Sequence, residues 1–235
     1  MTIAGLLLRV RRLFARHPPP IAKADAKIRC ERFGSDYGGW VTATDGLDAG
    51  SVVYSAGLGE DASFDIALIN RFGLTIHAFD PTPKSIAWAK QQHFPPNFHL
   101  REYGLAGFDG EAVFYPPENP DYVSCTMEPL AGAENRAMRV PMRRLASAAE
   151  EIGTSEIAIL KMDIEGAEYA VIDDLLRTAC RPGQILLEFH HGHYGLTEEM
   201  TKRSIDLLRD AGYRLFFVSP SQHEFSLVYD PEARL

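Results

Sequence analysis

Cysteine is scarce in this chain: Cys30, Cys125 and Cys180 are the only three in 235 residues. They make no Cys-x-x-Cys pair and no metal-ligand spacing, which excludes a disulfide scaffold or zinc module and fits reduced thiols in a cytoplasmic protein. Positive charge is short as well, with 24 Lys and Arg against 32 Asp and Glu and a formal net charge of -8. A surface of that sign repels phosphate backbones, so no nucleic-acid partner is expected. No apolar run reaches the roughly 20 residues that would cross a bilayer, so no transmembrane segment is expected. Internal repeats and low-complexity tracts are missing too. What is present is 46% hydrophobic and 24% charged residues, enough to pack the core of one α/β domain.

The start, through Leu6-Leu-Leu-Arg-Val-Arg-Arg12, carries an apolar stretch too short for a secretory leader, with its arginines after that stretch rather than before it. It reads as an amphipathic helix ended by Pro18-Pro19-Pro20, docked on its own domain, on a partner, or by residues 1–16 on a membrane surface. A second short helix is expected over residues 22–32. The chain then divides into an N-terminal helical extension, 1–32, and a single domain, 33–235.

Within that domain, strand-like and helical patterns alternate. Strands are expected at Val52–Ala56, Thr75–Asp80, Phe98–Glu102, Ile157–Asp163 and Ile185–His190. Helices are expected at Asp61–Arg71, Pro83–His93, Arg144–Ile152, Ala167–Thr178 and Glu198–Ala211. Strands separated by helices of this length imply right-handed βαβ units and a doubly wound, mostly parallel sheet. Tyr213–Val218 and Phe225–Tyr229 have no room for a helix between them, so the sheet should finish with an antiparallel hairpin. The irregular, proline-rich stretch from Tyr115 to Met138 has the length of a lid or substrate-binding loop.

The first strand leads into Ser55-Ala-Gly57-Leu-Gly59-Glu60-Asp61. Two glycines there permit a sharp turn and a ligand pressed against bare backbone. Asp80 ends the second strand about 20 residues later, where an acid can accept both hydroxyl hydrogens of an adenosine ribose. A dinucleotide would set its pyrophosphate at the N-terminus of the following helix, where Glu60 and Asp61 would repel it. S-adenosylmethionine carries an ammonium and a sulfonium instead, which those carboxylates attract. An NAD-dependent oxidoreductase is the alternative reading, and a non-catalytic nucleoside-binding domain of the same fold is another.

Two later strands carry unusual polar ends: Leu160-Lys161-Met-Asp163-Ile-Glu165-Gly-Ala-Glu168, and Leu186-Leu-Glu188-Phe-His190-His191. Central parallel strands are normally apolar on both faces. At period two, Lys161, Asp163 and Glu165 share a face, as do Glu188 and His190. If the strands are neighbours, the carboxylates and an imidazole converge beside the cofactor. His190 is the expected base, because an unperturbed imidazole titrates near neutrality. Asp163 is the other candidate base, and Glu188 completes the catalytic set. His191 and His193 read as surface residues. A hard-cation site of Asp163, Glu165, Glu188 and His190, holding an ion such as Mg²⁺, is the alternative way to activate a hydroxyl.

Together these strings, with His77-Ala-Phe-Asp80-Pro and Asp36-Tyr-Gly-Gly-Trp40, resemble the FkbM family of S-adenosylmethionine-dependent methyltransferases over roughly residues 33–230. Leu-Lys-x-Asp-x-Glu-Gly-x-Glu is the most distinctive piece. The resemblance implies a Rossmann-like class I methyltransferase sheet and O-methylation of a small-molecule or sugar hydroxyl. Many members carry an acid where this chain has Ser55. Ser55, Gly57, Gly59, Glu60, Asp61 and Asp80 are thus the expected cofactor-binding residues, with the amine-binding role passing to Glu60 or Asp61.

Overall fold

A strand buried on both faces needs apolar side chains at successive positions, and the polar residues in such a strand collect at its ends. That pattern sets the centre of this molecule, a computed structural model that describes residues 20–116, 134–154, 156–193, 195–230 and 232. The hairpin β1 (Cys30–Phe33) and β2 (Trp40–Ala43) comes first, followed by β3 (Val52–Ala56), α1 (Ser63–Phe72), β4 (Thr75–Phe79), α2 (Pro83–Ala89) and β5 (Phe98–Arg101). A small sheet follows, from β6 (Gly104–Leu105), β7 (Gly110–Phe114) and β8 (Met138–Arg143). The chain continues through α3 (Leu145–Ile152), β9 (Ile159–Met162), α4 (Glu168–Leu175) and β10 (Gln184–Glu188). It closes with α5 (Glu198–Asp210), β11 (Tyr213–Val218) and β12 (Glu224–Tyr229).

The large sheet has the order β11-β12-β10-β9-β3-β4-β5. Neighbours from β5 to β10 pair in parallel, whereas β12 is antiparallel to both β10 and β11. The expected hairpin therefore forms, but its antiparallel strand inserts inside the sheet and β11 becomes the edge. The sheet buries both faces. Tyr54, Leu160, Ile185 and Leu187 pack with residues of α3, α4 and α5 on one side. Val53, Ile76, Ile159 and Leu186 pack with α1 and β2 on the other. Each fully buried Leu or Ile stabilises the fold by roughly 1.5–3 kcal/mol.

The second short helix expected over 22–32 does not form. Asp25 and Ala26 donate their amides to the Leu215 carbonyl of β11, at 2.7 and 3.2 Å, and Arg209 of α5 grips the Asp25 carboxylate at 2.8 Å. The segment spends its backbone hydrogen bonds on an edge strand, which would otherwise be open to strangers. Cys30–Phe33 then pairs as β1. The helix expected over residues 1–16 lies outside the described residues, as do 117–133 of the proline-rich stretch. No helix among the described residues is long and apolar enough to cross a membrane.

Candidate active site

The chain reverses its direction of travel across the sheet between β3 and β9. In such sheets ligands bind outside the carboxyl ends of the strands at that reversal. A cavity of about 570 Å³ opens there, walled on one side by the glycine turn and Asp80 and on the other by Asp163, Glu165, Glu188, His190 and Glu224.

The donor half is held by hydrogen bonds to carboxylates. Gly57 and Gly59 both take positive φ, 80° and 57°, where a side chain is strained. Gly59 N donates to Asp80 Oδ2 at 2.9 Å, and Thr82 donates its amide and hydroxyl to Oδ1 at 2.9 and 2.6 Å. Buried Asp80 thus ties the end of β4 to the turn after β3, with lone pairs left over for a ribose. Asp61 accepts from Ser35 Oγ at 2.6 Å and from Ser63 N, at the start of α1, at 2.7 Å. Burial pushes its carboxyl up, but these hydrogen bonds win and hold it below the usual carboxylate range. A carboxylate already occupies the helix terminus that a pyrophosphate would need. Glu60, beside it, lines the cavity and pairs with Lys84 at 3.8 Å.

Ser55 is the exception among the expected cofactor residues. It is buried, lies away from the cavity wall and bonds to Asp65 of α1. Asp65 is itself buried with one oxygen unpartnered, and burial, only partly offset by Lys161 and Ser55, pushes it up to about 6. Lys161 departs from expectation as well. Strand β9 ends at Met162, so the period-two face does not continue. Lys161 Nζ instead donates to the carbonyls of Ala56 and Gly57 at 3.1 and 2.6 Å and lies 5.3 Å from the Trp40 ring centre.

The reaction half begins where the donor half ends. A Cβ on Gly57 would come within 1.7 Å of the Asp163 carbonyl oxygen. His190 Nε2 stands 3.6 Å from Asp163 Oδ1 and 3.5 Å from Glu165 Oε2. Its Nδ1 is 3.3 Å from Glu168 Oε1, a charge contact outside hydrogen-bond alignment. Glu168 opens α4 as expected, is fully buried, and also accepts the amides of Ile164 and Gly166 at 2.8 and 2.9 Å. Burial alone would lower His190, but Glu168, then Glu165 and Asp163, raise it to about 9. The three carboxylates thus favour the protonated imidazole, the opposite direction from the near-neutral base expected at His190. Glu188 is pushed up to about 7 by burial and by Asp163. Glu224 of β12, directly opposite Glu188 in the sheet, is raised chiefly by its own burial.

Several features were not legible in the residues. His191 is buried against Thr201, 3.1 Å away, and stacks on His223 at 4.2 Å rather than lying on the surface. His193 reaches the cavity wall. Tyr37 is 86% exposed yet lines the cavity mouth. It is carried by a loop in which Gly38 N donates to Ser35 Oγ at 2.8 Å and Arg32 holds the Ser35 and Asp36 carbonyls at 3.2 and 3.1 Å. The only hint of it was the Asp36-to-Trp40 string ahead of the first sheet strand.

The family described as the methyltransferase FkbM domain matches residues 54–215. A human relative, described as probable methyltransferase-like protein 24, is 27% identical over 141 residues, which are 59% of this chain and 32% of the relative. The chain thus spans about a third of that relative's length. Among solved structures, precorrin-6y C5,15-methyltransferase from Geobacter metallireducens superposes with a TM-score of 0.46 at 13% identity, covering 79% of this chain and 82% of the other. Aeropyrum pernix fibrillarin, solved with bound S-adenosyl-L-methionine, gives 0.44 at 11% identity over 79% of this chain and 68% of its own.

Proposed function

Because this chain belongs to the FkbM methyltransferase family, we propose that it transfers the methyl group of S-adenosylmethionine to a hydroxyl oxygen of a small molecule or sugar. One observation carries the reading. The glycine turn with Asp80, suited to an adenosine and a cationic tail, shares a cavity with the carboxylates that end β9 and β10. Asp80 receives the ribose hydroxyls; Glu60 and Asp61 face the charged methionine end.

The reaction is an in-line displacement. The acceptor oxygen bonds to the methyl carbon as the carbon–sulfur bond breaks, and the sulfonium becomes the neutral thioether of S-adenosylhomocysteine. Holding oxygen, carbon and sulfur collinear supplies most of the acceleration. The hydroxyl proton leaves to a carboxylate, and Glu188, beside Asp163 on the cavity wall, receives it. The acids around the mouth disfavour a phosphorylated or nucleic-acid acceptor. The exposed ring of Tyr37 offers an apolar face on which a sugar ring can rest.

Isothermal titration with S-adenosylhomocysteine and NAD side by side tests the donor: the first binds and NAD does not. Methyl-labelled S-adenosylmethionine with a panel of sugars and hydroxylated metabolites then tests the acceptor, the label being expected as a methyl ether. Binding of NAD alone overturns the donor assignment, and label on nitrogen or carbon overturns the acceptor.

A further inference from the structure

We propose that Asp163, Glu165 and His190 form a site for one divalent cation, of the Mn²⁺ and Mg²⁺ class, inside the cavity and beside the reacting oxygen. The role given to the ion rests on the methyl-transfer reading; the site itself does not. One ligand atom from each of the three residues lies within 4.8 Å of the other two. The imidazole Nε2 is 3.6 Å from one carboxylate and 3.5 Å from the other. Adjacent ligands around an octahedral ion with bonds of about 2.1 Å stand roughly 3 Å apart, so a contraction of about half an ångström brings each carboxylate to that spacing from the imidazole.

Glu168 supports this arrangement from behind. Behind the imidazole, fully buried Glu168 faces Nδ1 at 3.3 Å. By its charge a carboxylate there favours the proton on Nδ1 and leaves the other nitrogen for a metal, as the usual support of a metal-bound histidine does. Glu165 holds φ 55° although it is not glycine. Its neighbours Ile164 and Gly166 are both pinned by Glu168, at 2.8 and 2.9 Å. One buried acid therefore orients the imidazole and shapes the turn that brings Glu165 to it.

The ligand set selects the ion. Two carboxylate oxygens and one imidazole, with no thiolate, suit Mn²⁺ or Mg²⁺, and the nitrogen favours Mn²⁺. All three residues line the cavity, so open coordination positions face the acceptor. A cation there polarises the bound hydroxyl and lowers its pKa, while the proton still leaves to Glu188. Binding exchanges the Nε2 proton for the ion.

The test is a titration of the EDTA-stripped full chain with Mn²⁺, following loss of the free-ion signal by electron paramagnetic resonance. One ion per chain is expected. Asp163→Asn, Glu165→Gln and His190→Gln should each weaken it by roughly 10- to 100-fold, as should Glu168→Gln through its hold on the imidazole. Each variant should bind S-adenosylhomocysteine within about threefold of the parent, which certifies its fold. No stoichiometric Mn²⁺ binding by the parent overturns the proposal, as does binding indifferent to the first three substitutions. Bound Mn²⁺ without S-adenosylhomocysteine binding would sustain the cation site and sink the methyltransferase reading. The reverse result would sink the cation site alone.

Discussion

The two halves of the cavity are both lined by carboxylates near the carboxyl ends of the parallel strands, yet they treat charge in opposite ways. Asp80 and Asp61 are held by neutral donors: the amides of Gly59, Thr82 and Ser63 and the hydroxyls of Thr82 and Ser35. Asp163 and Glu165 instead face one imidazole, with Glu188 and Glu224 both close enough to feel the Asp163 charge. Glu188 and Glu224 are even cross-strand partners, a placement of like charges that destabilises a sheet. A carboxylate held by neutral amides and hydroxyls is framework. A set of carboxylates turned on itself is a place kept ready for something positive or for a proton.

That contrast breaks most visibly at Glu188. Glu188→Gln should lower turnover on the order of 10²–10⁴-fold and leave S-adenosylhomocysteine affinity unchanged. Its melting temperature should hold or rise, because a like-charge pair has gone. A parallel fall in donor affinity would show that the halves are not separable.

Asp80→Ala probes the framework side. It should weaken S-adenosylhomocysteine by roughly 10- to 150-fold, equivalent to about 1.5–3 kcal/mol for hydrogen bonds to a charged acceptor. Turnover at saturating donor should persist. Unchanged affinity in a folded variant would demote Asp80 to a tie between strand ends.

The smallest effect sharpens the contrast from within the framework, at its one under-partnered acid. Asp65 is pushed up to about 6 by burial, against the ordinary value of 3.8. Below pH 4 both folded and unfolded chains hold that proton. As pH rises from about 4 to 6 the unfolded chain ionises first and stability falls; above 6 the loss is constant. Asp65→Asn should match the parent near pH 4 and exceed it at pH 8 by on the order of 1–2 kcal/mol. A variant destabilised equally at both pH values would mean that the bond to Ser55 matters more than the charge.

The central strands were legible because burial on both faces writes an unbroken apolar run, as in Ile159-Leu160 and Ile185-Leu186-Leu187. The β1–β2 hairpin and the β6–β8 sheet were not, since elements this short leave little periodic signal and depend on what they pack against. The same limit governs the site. The glycine turn, Asp80, Asp163, Glu188 and His190 announced themselves by residue type and spacing, and they meet at one cavity. Ser55 misled because a strand turns alternate side chains to opposite faces, and its face looks toward α1 rather than the ligand. The charge on His190 was not legible for an electrostatic reason: Glu168, Glu165 and Asp163 raise its pKa, and the approach of Glu165 is set by a turn with left-handed geometry. Tyr37 sits before the sheet begins and reaches the mouth only through the folding of a loop.

Gly57 has no room for a side chain because the Asp163 carbonyl fills it, so the two halves of the one cavity meet at tightly packed backbone. Two ligands seated against such a junction form one linked system. Whatever factor an occupied donor pocket applies to affinity in the reaction half, an occupant there returns to the donor, by the reciprocity that binds any pair of coupled sites. Order of filling then follows each ligand's concentration relative to its own affinity, and release of one product loosens or tightens the other by that same factor.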